Sequence, residues 1–556
     1  MSDSQKKQSF LHGTALLAAA TAIVKIIGAL YKIPLKMIIG DEGFGYFNTA
    51  YEIYSLLLLI STAGLPVAMS RMISQASSLG HSNQVRRVYT TARSLFLALG
   101  IAGTLFMTLC CKWLANVQGQ PDAFYAIGCL GPCVLLICMM STYRGFFQGQ
   151  GNMIPTSVSQ VLEAITKLIV GIGLALLVTA RTGNIPQAAG AAIMGVTISC
   201  VASLLYLLSC VRKGCRQLPP SAEPASSQKE TAKQLLSIAV PITIGAAGLQ
   251  LLTVLETGIY MDNITALLNN GLYQNPVIET IRNDVLKNYP GISPQYLQAK
   301  IAVNLKGIYN MAQTVYNLPV AFVAPITISI IPAITSHLTL QNNQGARGTA
   351  ESAARITGLI CMPCAAGLIV LSQPVMALLG GYSGEKLVAA GTLMSILGVC
   401  IIFNSIVLLT NAIMQAYGHA NLPVINMFIG GILKLAAVHM LTNNGSVGIL
   451  GVPIGSFLCY LSITVLNLLT MRKCIPNSPS ILKNLCRSAL AAGIMGLIVY
   501  GVFTVLPTDS RILQCIIPVM VGVAVYAIAA IKLKAITRAD CLLLPKGDKL
   551  AKLLKL

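Results

Sequence analysis

The feature that most constrains this chain is a series of long apolar stretches, near 11–38, 44–70, 89–115, 122–148, 155–180, 187–212, 234–262, 303–337, 355–380, 387–415, 420–442, 447–471, 485–507 and 512–536. A helix needs about 20 apolar residues to cross a bilayer. In lipid the backbone must satisfy its own hydrogen bonds, so only helices and closed barrels span. The stretches are continuously apolar rather than alternating over about ten residues, which excludes a barrel. They predict an all-α polytopic membrane protein with about fourteen transmembrane helices. Composition agrees: only 10% of the chain is charged, whereas soluble domains carry about 25%. The first stretch has no early A-x-A site and reads as a retained span rather than a signal peptide.

The net charge of +21 does not point to nucleic acid, because the cations sit in short loops between the stretches. Of the 38 Lys and Arg, twenty-five fall on the side that holds both termini and eight on the other, with Lys300 and Lys306 among the eight; Lys25, Lys32, Lys36, Lys167 and Lys434 lie within apolar runs. The bias places both termini in the cytoplasm. The 16 cysteines are scattered, mostly inside apolar runs. The one CxxC, Cys361 to Cys364, lies within an expected span and reads as packing.

Two connections stand out. Segment 213–233 is polar and rich in Pro and Ser, as a cytoplasmic linker would be. Segment 263–302 is a long external insertion in which Val277 to Lys287 and Pro294 to Lys306 suit short amphipathic helices. The basic apolar tail after Asp540 suits either the anionic inner leaflet or a solvated end.

An internal repeat organises the rest. Leu65-Pro66-x-x-x-Ser70-Arg71 returns as Ile331-Pro332-x-x-x-Ser336-His337, 266 residues later. Gln148-x-x-Gly151 and Lys167 return as Gln415-x-x-Gly418 and Lys434 at an offset of 267, with Pro155 and Pro423 following the respective motifs. The expected organisation is a lobe of six helices over 1–212, the linker 213–233, a second lobe of six over 234–471, and two more helices with a basic cytoplasmic tail over 472–556. Six helices is an even number, so the repeat is parallel, with a site near the midplane between the halves.

Ionisable groups inside a membrane cost at least about 2.5–3.5 kcal/mol and therefore mark function. Lys25 and Lys32 are seven residues apart on one helix face; Lys36 is close enough to the interface to snorkel. Glu163 and Lys167 have the i,i+4 spacing of a helical ion pair. Lys434, the repeat counterpart of Lys167, has Gly430 in place of the acid. Glu52 and Glu256 either compensate the lysines or bind a coupling cation. Cations outnumber acids within the spans, which favours an anionic ligand such as a phosphate or pyrophosphate. His12, His81, His337, His419 and His439 are isolated, and no nucleotide-binding or nucleophile motif is present, so neither an enzyme nor a cofactor is expected. Coupling to the membrane potential or to a monovalent cation is compatible with these charges.

The segments VKIIGALYKIPL (24–35), GDEGFGYFNTAYEIYSLLLLISTAGLPVAMSRMIS (40–74), YRGFFQGQGNMIPTSVSQVLEAITK (143–167) and NLPVAFVAPITISIIPAITSH (317–337) together resemble one family. It is the stage V sporulation protein B and lipid II flippase branch of the polysaccharide transporters, within the multidrug/oligosaccharidyl-lipid/polysaccharide flippase superfamily. The resemblance implies a monomeric flippase in the bacterial cytoplasmic membrane that moves undecaprenyl-pyrophosphate-linked sugars, lipid II or a related peptidoglycan precursor, by alternating access, with membrane lipids as its other partners. Another lipid-linked polysaccharide unit is the alternative cargo. A multidrug or cation antiporter of the same superfamily, which Glu52 and Glu256 would serve, is the alternative class. The family's first-helix basic residue matches Lys25, and its second lies close to Lys32. One departure is Thr314, where Gram-negative lipid II flippases carry Arg five residues before a proline, here Pro319. Lys306, two turns earlier, is the cation available to substitute.

Overall fold

The computed structural model describes residues 3–62, 64–216, 224–475, 477–506 and 510–535. All regular structure in them is helical: α1 (Asp3–Thr62), α2 (Leu65–Ser78), α3 (Ser82–Leu109), α4 (Cys111–Val117), α5 (Phe124–Gly149), α6 (Ile154–Thr182), α7 (Ile185–Arg216), α8 (Gln228–Asn269), α9 (Pro276–Asn288), α10 (Pro294–Thr339), α11 (Asn343–Val370), α12 (Ser372–Gly380), α13 (Gly384–Ala416), α14 (Asn421–Thr442), α15 (Gly451–Cys474), α16 (Ile481–Val505) and α17 (Arg511–Lys532), with two short 3-10 turns. Twelve stretches among the described residues are helical, long and apolar enough to cross a membrane. Their outer faces carry large apolar side chains, such as Leu497 and Val523, that only lipid would cover. The protein is an all-α multi-pass membrane protein.

The first two expected spans run together in α1, which breaks only at Gly40, where φ is 68° and ψ is −174°. That conformation is open to glycine and strained for other residues, so a glycine makes the corner between two helical limbs. Expected span 303–337 lies within α10, a single helix of 46 residues, which also takes in Pro294 to Lys306; no separate amphipathic helix forms there. Segment Val277 to Lys287 is α9. Its Asn275 side chain caps Val277 N at 3.1 Å, and Val277, Ile278, Ile281 and Val285 are buried along one face. The basic tail and linker residues 217–223 lie outside the described residues.

The chain divides into two compact units. The first comprises Met1–Asp262 with Gln298–Gly307, and the second Asn263–Leu297 with Ile308–Leu556. In the first, α6 packs on α7 and α1, and α5 packs on α3 and α7. In the second, α15 packs on α13 and α14, and α11 on α13 and α16. Small residues set these approaches, as is usual where lipid gives helices no hydrophobic drive to associate. A side chain at Gly45 would meet the Val303 carbonyl at 2.8 Å, and one at Gly307 would collide with the Asp41 carbonyl. These two glycines let the second limb of α1 lie against the start of α10.

Candidate functional site

Beyond the Gly40 corner, α1 presents two chemically different faces. Phe44, Phe47, Tyr51 and Tyr54 follow one another at helical spacing, with adjacent ring centroids 6.3, 5.7 and 5.5 Å apart. Tyr31 on the first limb joins this ladder, 5.9 Å from Phe47, and donates its hydroxyl to the Ala192 carbonyl at 3.2 Å. The other face carries Glu42, Tyr46 and Thr49, which meet lysines from α10.

Lys300 Nζ lies 2.7 Å from Glu42 and 3.0 Å from Asp122, and Tyr46 donates to Glu42 at 3.1 Å. Lys306 Nζ, with no exposed side-chain surface, reaches Glu52 at 3.1 Å and Thr49 Oγ1 at 2.6 Å. Glu52 also accepts from Thr257 at 2.9 Å, and buried Glu256 is within Coulombic range of Lys306. The sequence assigned Lys300 and Lys306 to the external connection. Both are buried ion-paired groups, received by carboxylates on α1 and before α5.

The remaining interior cations of this unit sort by partner. Lys36 is not a snorkelling anchor; it is buried and lies 3.3 Å from Asp41. Glu163 is held not by Lys167, one turn away, but by Arg144 at 3.0 Å, whose Nε also donates to Ser159 at 3.0 Å. Lys32 and Lys167 are different. Lys32 donates to the Asn48 amide oxygen at 3.1 Å and stands 6.0 Å from the Tyr51 ring centroid. Lys167 stands 5.8 Å from the Tyr31 ring and 5.9 Å from the Tyr51 ring. Neither has a carboxylate within ion-pair distance among the described residues. The two ammonium groups feel each other's charge, Lys32 also feels Glu52, and Lys167 feels Glu163 and the Tyr51 hydroxyl. The side chain of Lys25 lies outside the described residues.

Sequence reasoning named Lys32, Lys167, Glu52, Glu163 and Glu256 and missed Glu42, Asp122, Asn48, Tyr51, Arg144 and Lys300 as their partners and neighbours. Lys434 is half-buried on α14 in the second unit, where Cys400 of α13 and Tyr460 of α15 feel its charge. Gly430 stands in place of an acid because its Cα abuts Ile463 of α15; the position is reserved for packing. The second unit also has an apolar groove of about 610 Å³ between α10, α11, α16 and α17, lined by Pro319, Leu359, Pro363, Leu368, Val499 and Val523 among others. No cluster of His, Cys, Asp and Glu fit to hold a metal occurs among the described residues.

A bundle of long apolar helices with paired charges and two lysines lacking acidic partners is the arrangement of a membrane transporter rather than an enzyme. The chain belongs to the family described as "Polysaccharide biosynthesis protein", which it matches over residues 10–337, within the flippase superfamily; residues 297–517 match the family "Lipid II flippase MurJ". Among curated proteins it is 24% identical over 479 residues to "Stage V sporulation protein B" of Bacillus subtilis (strain 168), covering 85% of each chain. It is 26% identical over 443 residues to "Lipid II flippase MurJ" of the same organism, covering 76% of each. Among solved structures it shares the fold of "Lipid II flippase MurJ, inward closed conformation", with a TM-score of 0.66 at 15% identity over 93% of this chain and 98% of that one.

Proposed function

We propose that the protein is a flippase that carries an undecaprenyl-pyrophosphate-linked cell-wall saccharide, lipid II or a related peptidoglycan precursor, across the cytoplasmic membrane by alternating access. One observation carries this reading. Of the described interior cations of the first unit, Lys36, Arg144, Lys300 and Lys306 each have a carboxylate at 3.3 Å or less, while Lys32 and Lys167 have none. A membrane-embedded cation requires a counter-charge or water, and two of them flanking one tyrosine ring make a receptor for a ligand with several negative oxygens. Lysine ammonium groups bind phosphates as point charges. A cationic drug would meet repulsion at the same place.

In this reading Lys32 and Lys167 hold the pyrophosphate, Asn48 orients Lys32, and Lys25, seven residues before Lys32 in the sequence, is a further cation for it. Lys434 adds a cation on α14. The chain has fourteen spans in two six-helix lobes with both termini cytoplasmic.

The test is direct binding of the purified protein to lipid II, to undecaprenyl pyrophosphate and to a cationic dye. Lipid II and the pyrophosphate lipid are expected to bind and to lose affinity when Lys32 and Lys167 are both changed to Gln. Preference for the dye overturns the proposal.

A further inference from the structure

One turn of α1, residues 48–52, touches both sets of lysines. Asn48 takes Lys32, Thr49 and Glu52 take Lys306, and the Tyr51 ring lies between Lys32 and Lys167. Glu52 is thus the carboxylate adjacent to both: it binds Lys306 directly and stands one turn of helix from Asn48, which holds Lys32. Lys306 is followed by Gly307, the last residue of α10 in the first unit, and the same helix enters the second unit at Ile308.

From this geometry we infer that Glu52 is an internal competitor of the substrate phosphate, an anion that sets the affinity of the lysine pair and is tied by Lys306 to the helix leading into the second unit. The inference rests on the flippase reading and adds a regulator to its site. A carboxylate in a low-dielectric setting opposes a second anion near the same cations. When a pyrophosphate occupies Lys32 and Lys167, its charge repels Glu52 and draws on Lys306, so the Glu52 to Lys306 bond weakens as substrate binds. By reciprocity, removing the negative charge of Glu52 strengthens substrate binding, and removing its counter-ion Lys306 weakens it. Glu52 is a positioning residue: it acts through Lys32 and Lys306 and makes no contact with phosphate.

The experiment measures binding of inorganic pyrophosphate to the purified full chain by calorimetry, beside transport of a lipid-linked substrate in vesicles. Glu52→Gln is expected to bind pyrophosphate about tenfold more tightly, the scale of one charge removed several ångströms away, and yet to lose transport, because the exchange that links binding to α10 is gone. Glu52→Asp keeps the charge and is expected to keep wild-type affinity. Lys306→Gln, which removes the counter-ion of Glu52 and leaves its negative charge beside the site, is expected to bind more weakly, and it covers the case in which Glu52→Gln fails to fold. Equal or weaker pyrophosphate binding by a folded Glu52→Gln protein, with wild type binding normally, overturns the inference and leaves the flippase reading standing. Tighter binding with full transport overturns the coupling role. No pyrophosphate binding by any of these proteins overturns the reading of the Lys32 and Lys167 site, and the inference with it.

Discussion

Two lysine–carboxylate bonds of equal length test whether burial, and not geometry, decides what an ion pair contributes to this protein. Lys300 to Glu42 and Lys386 to Asp284 are both 2.7 Å. In the first pair the side chains are 6% and 4% exposed, and in the second 19% and 54%. Lys300→Met leaves Glu42 buried without its ammonium, while Asp122, 29% exposed, turns partly to water. Removing one partner of a buried pair costs about 3–5 kcal/mol. Lys386→Met leaves Asp284 to solvent, and exposed pairs contribute about 0–1 kcal/mol. At about 2–4 °C per kcal/mol for a unit of this size, the first variant should melt roughly 6–20 °C below the parent and the second within about 4 °C of it. The assay is loss of the monodisperse peak on size exclusion in detergent after heating through a temperature series. Lys300→Met/Glu42→Gln should recover much of the loss, since the stranded charge goes with it. Equal melting of the two single variants, or no recovery in the double, would refute the assignment of Lys300 as a buried counter-ion.

The remaining predictions concern the same unit and its counterpart. Lys167→Met should lose transport at unchanged thermal stability, whereas Arg144→Met, which strands Glu163, should lose stability by about 1–3 kcal/mol because Glu163 is a quarter exposed; heat-shift and complementation assays on both variants check the pair. Lys32→Gln/Lys167→Gln should abolish complementation of a flippase-deficient strain while membrane levels stay normal on immunoblots. Gly430→Ala should destabilise by about 1–3 kcal/mol through overpacking against Ile463, read as a lower melting temperature with wild-type pyrophosphate affinity. Reporter fusions within 219–228 and after Leu556 should read cytoplasmic and one within 266–275 external; an external C-terminus would rule out an even number of spans.

The helices were legible because lipid imposes one local rule, sustained apolarity, that each segment obeys by itself. Pairing between helices obeys no local rule. Lys300 and Glu42 are 258 residues apart, and hydropathy placed Lys300 in an amphipathic connection because the apolar run begins only at residue 303. The i,i+4 rule proposed Glu163 with Lys167, but a guanidinium from α5 binds the carboxylate instead while also donating to Ser159, a fork that a lysine cannot supply. The one signal that pointed to Lys306 was comparative, the missing Arg at Thr314. For Lys434, the absence of an acid at Gly430 reflected helix packing and not a requirement of the site.

What the first unit does with its charges follows from the corner at Gly40. The corner returns α1 beside itself, so that Tyr31 of one limb and Phe47 and Tyr51 of the other form a single aromatic surface, and Lys32 and Lys167 approach it together. Cation–π contacts of this kind recover about 0.5–2 kcal/mol, less than the cost of two neighbouring ammonium groups at membrane depth, so the pair stays under-compensated by the protein. On the proposed reading, that imbalance sets the sign of cargo selection: an anion relieves it and a cation deepens it. Transporters of unlike cargo share folds, so cargo must be argued from such local imbalances. Among the described residues of the first unit, the imbalance falls on the two lysines that have no carboxylate of α1, α6 or Asp122 within ion-pair distance.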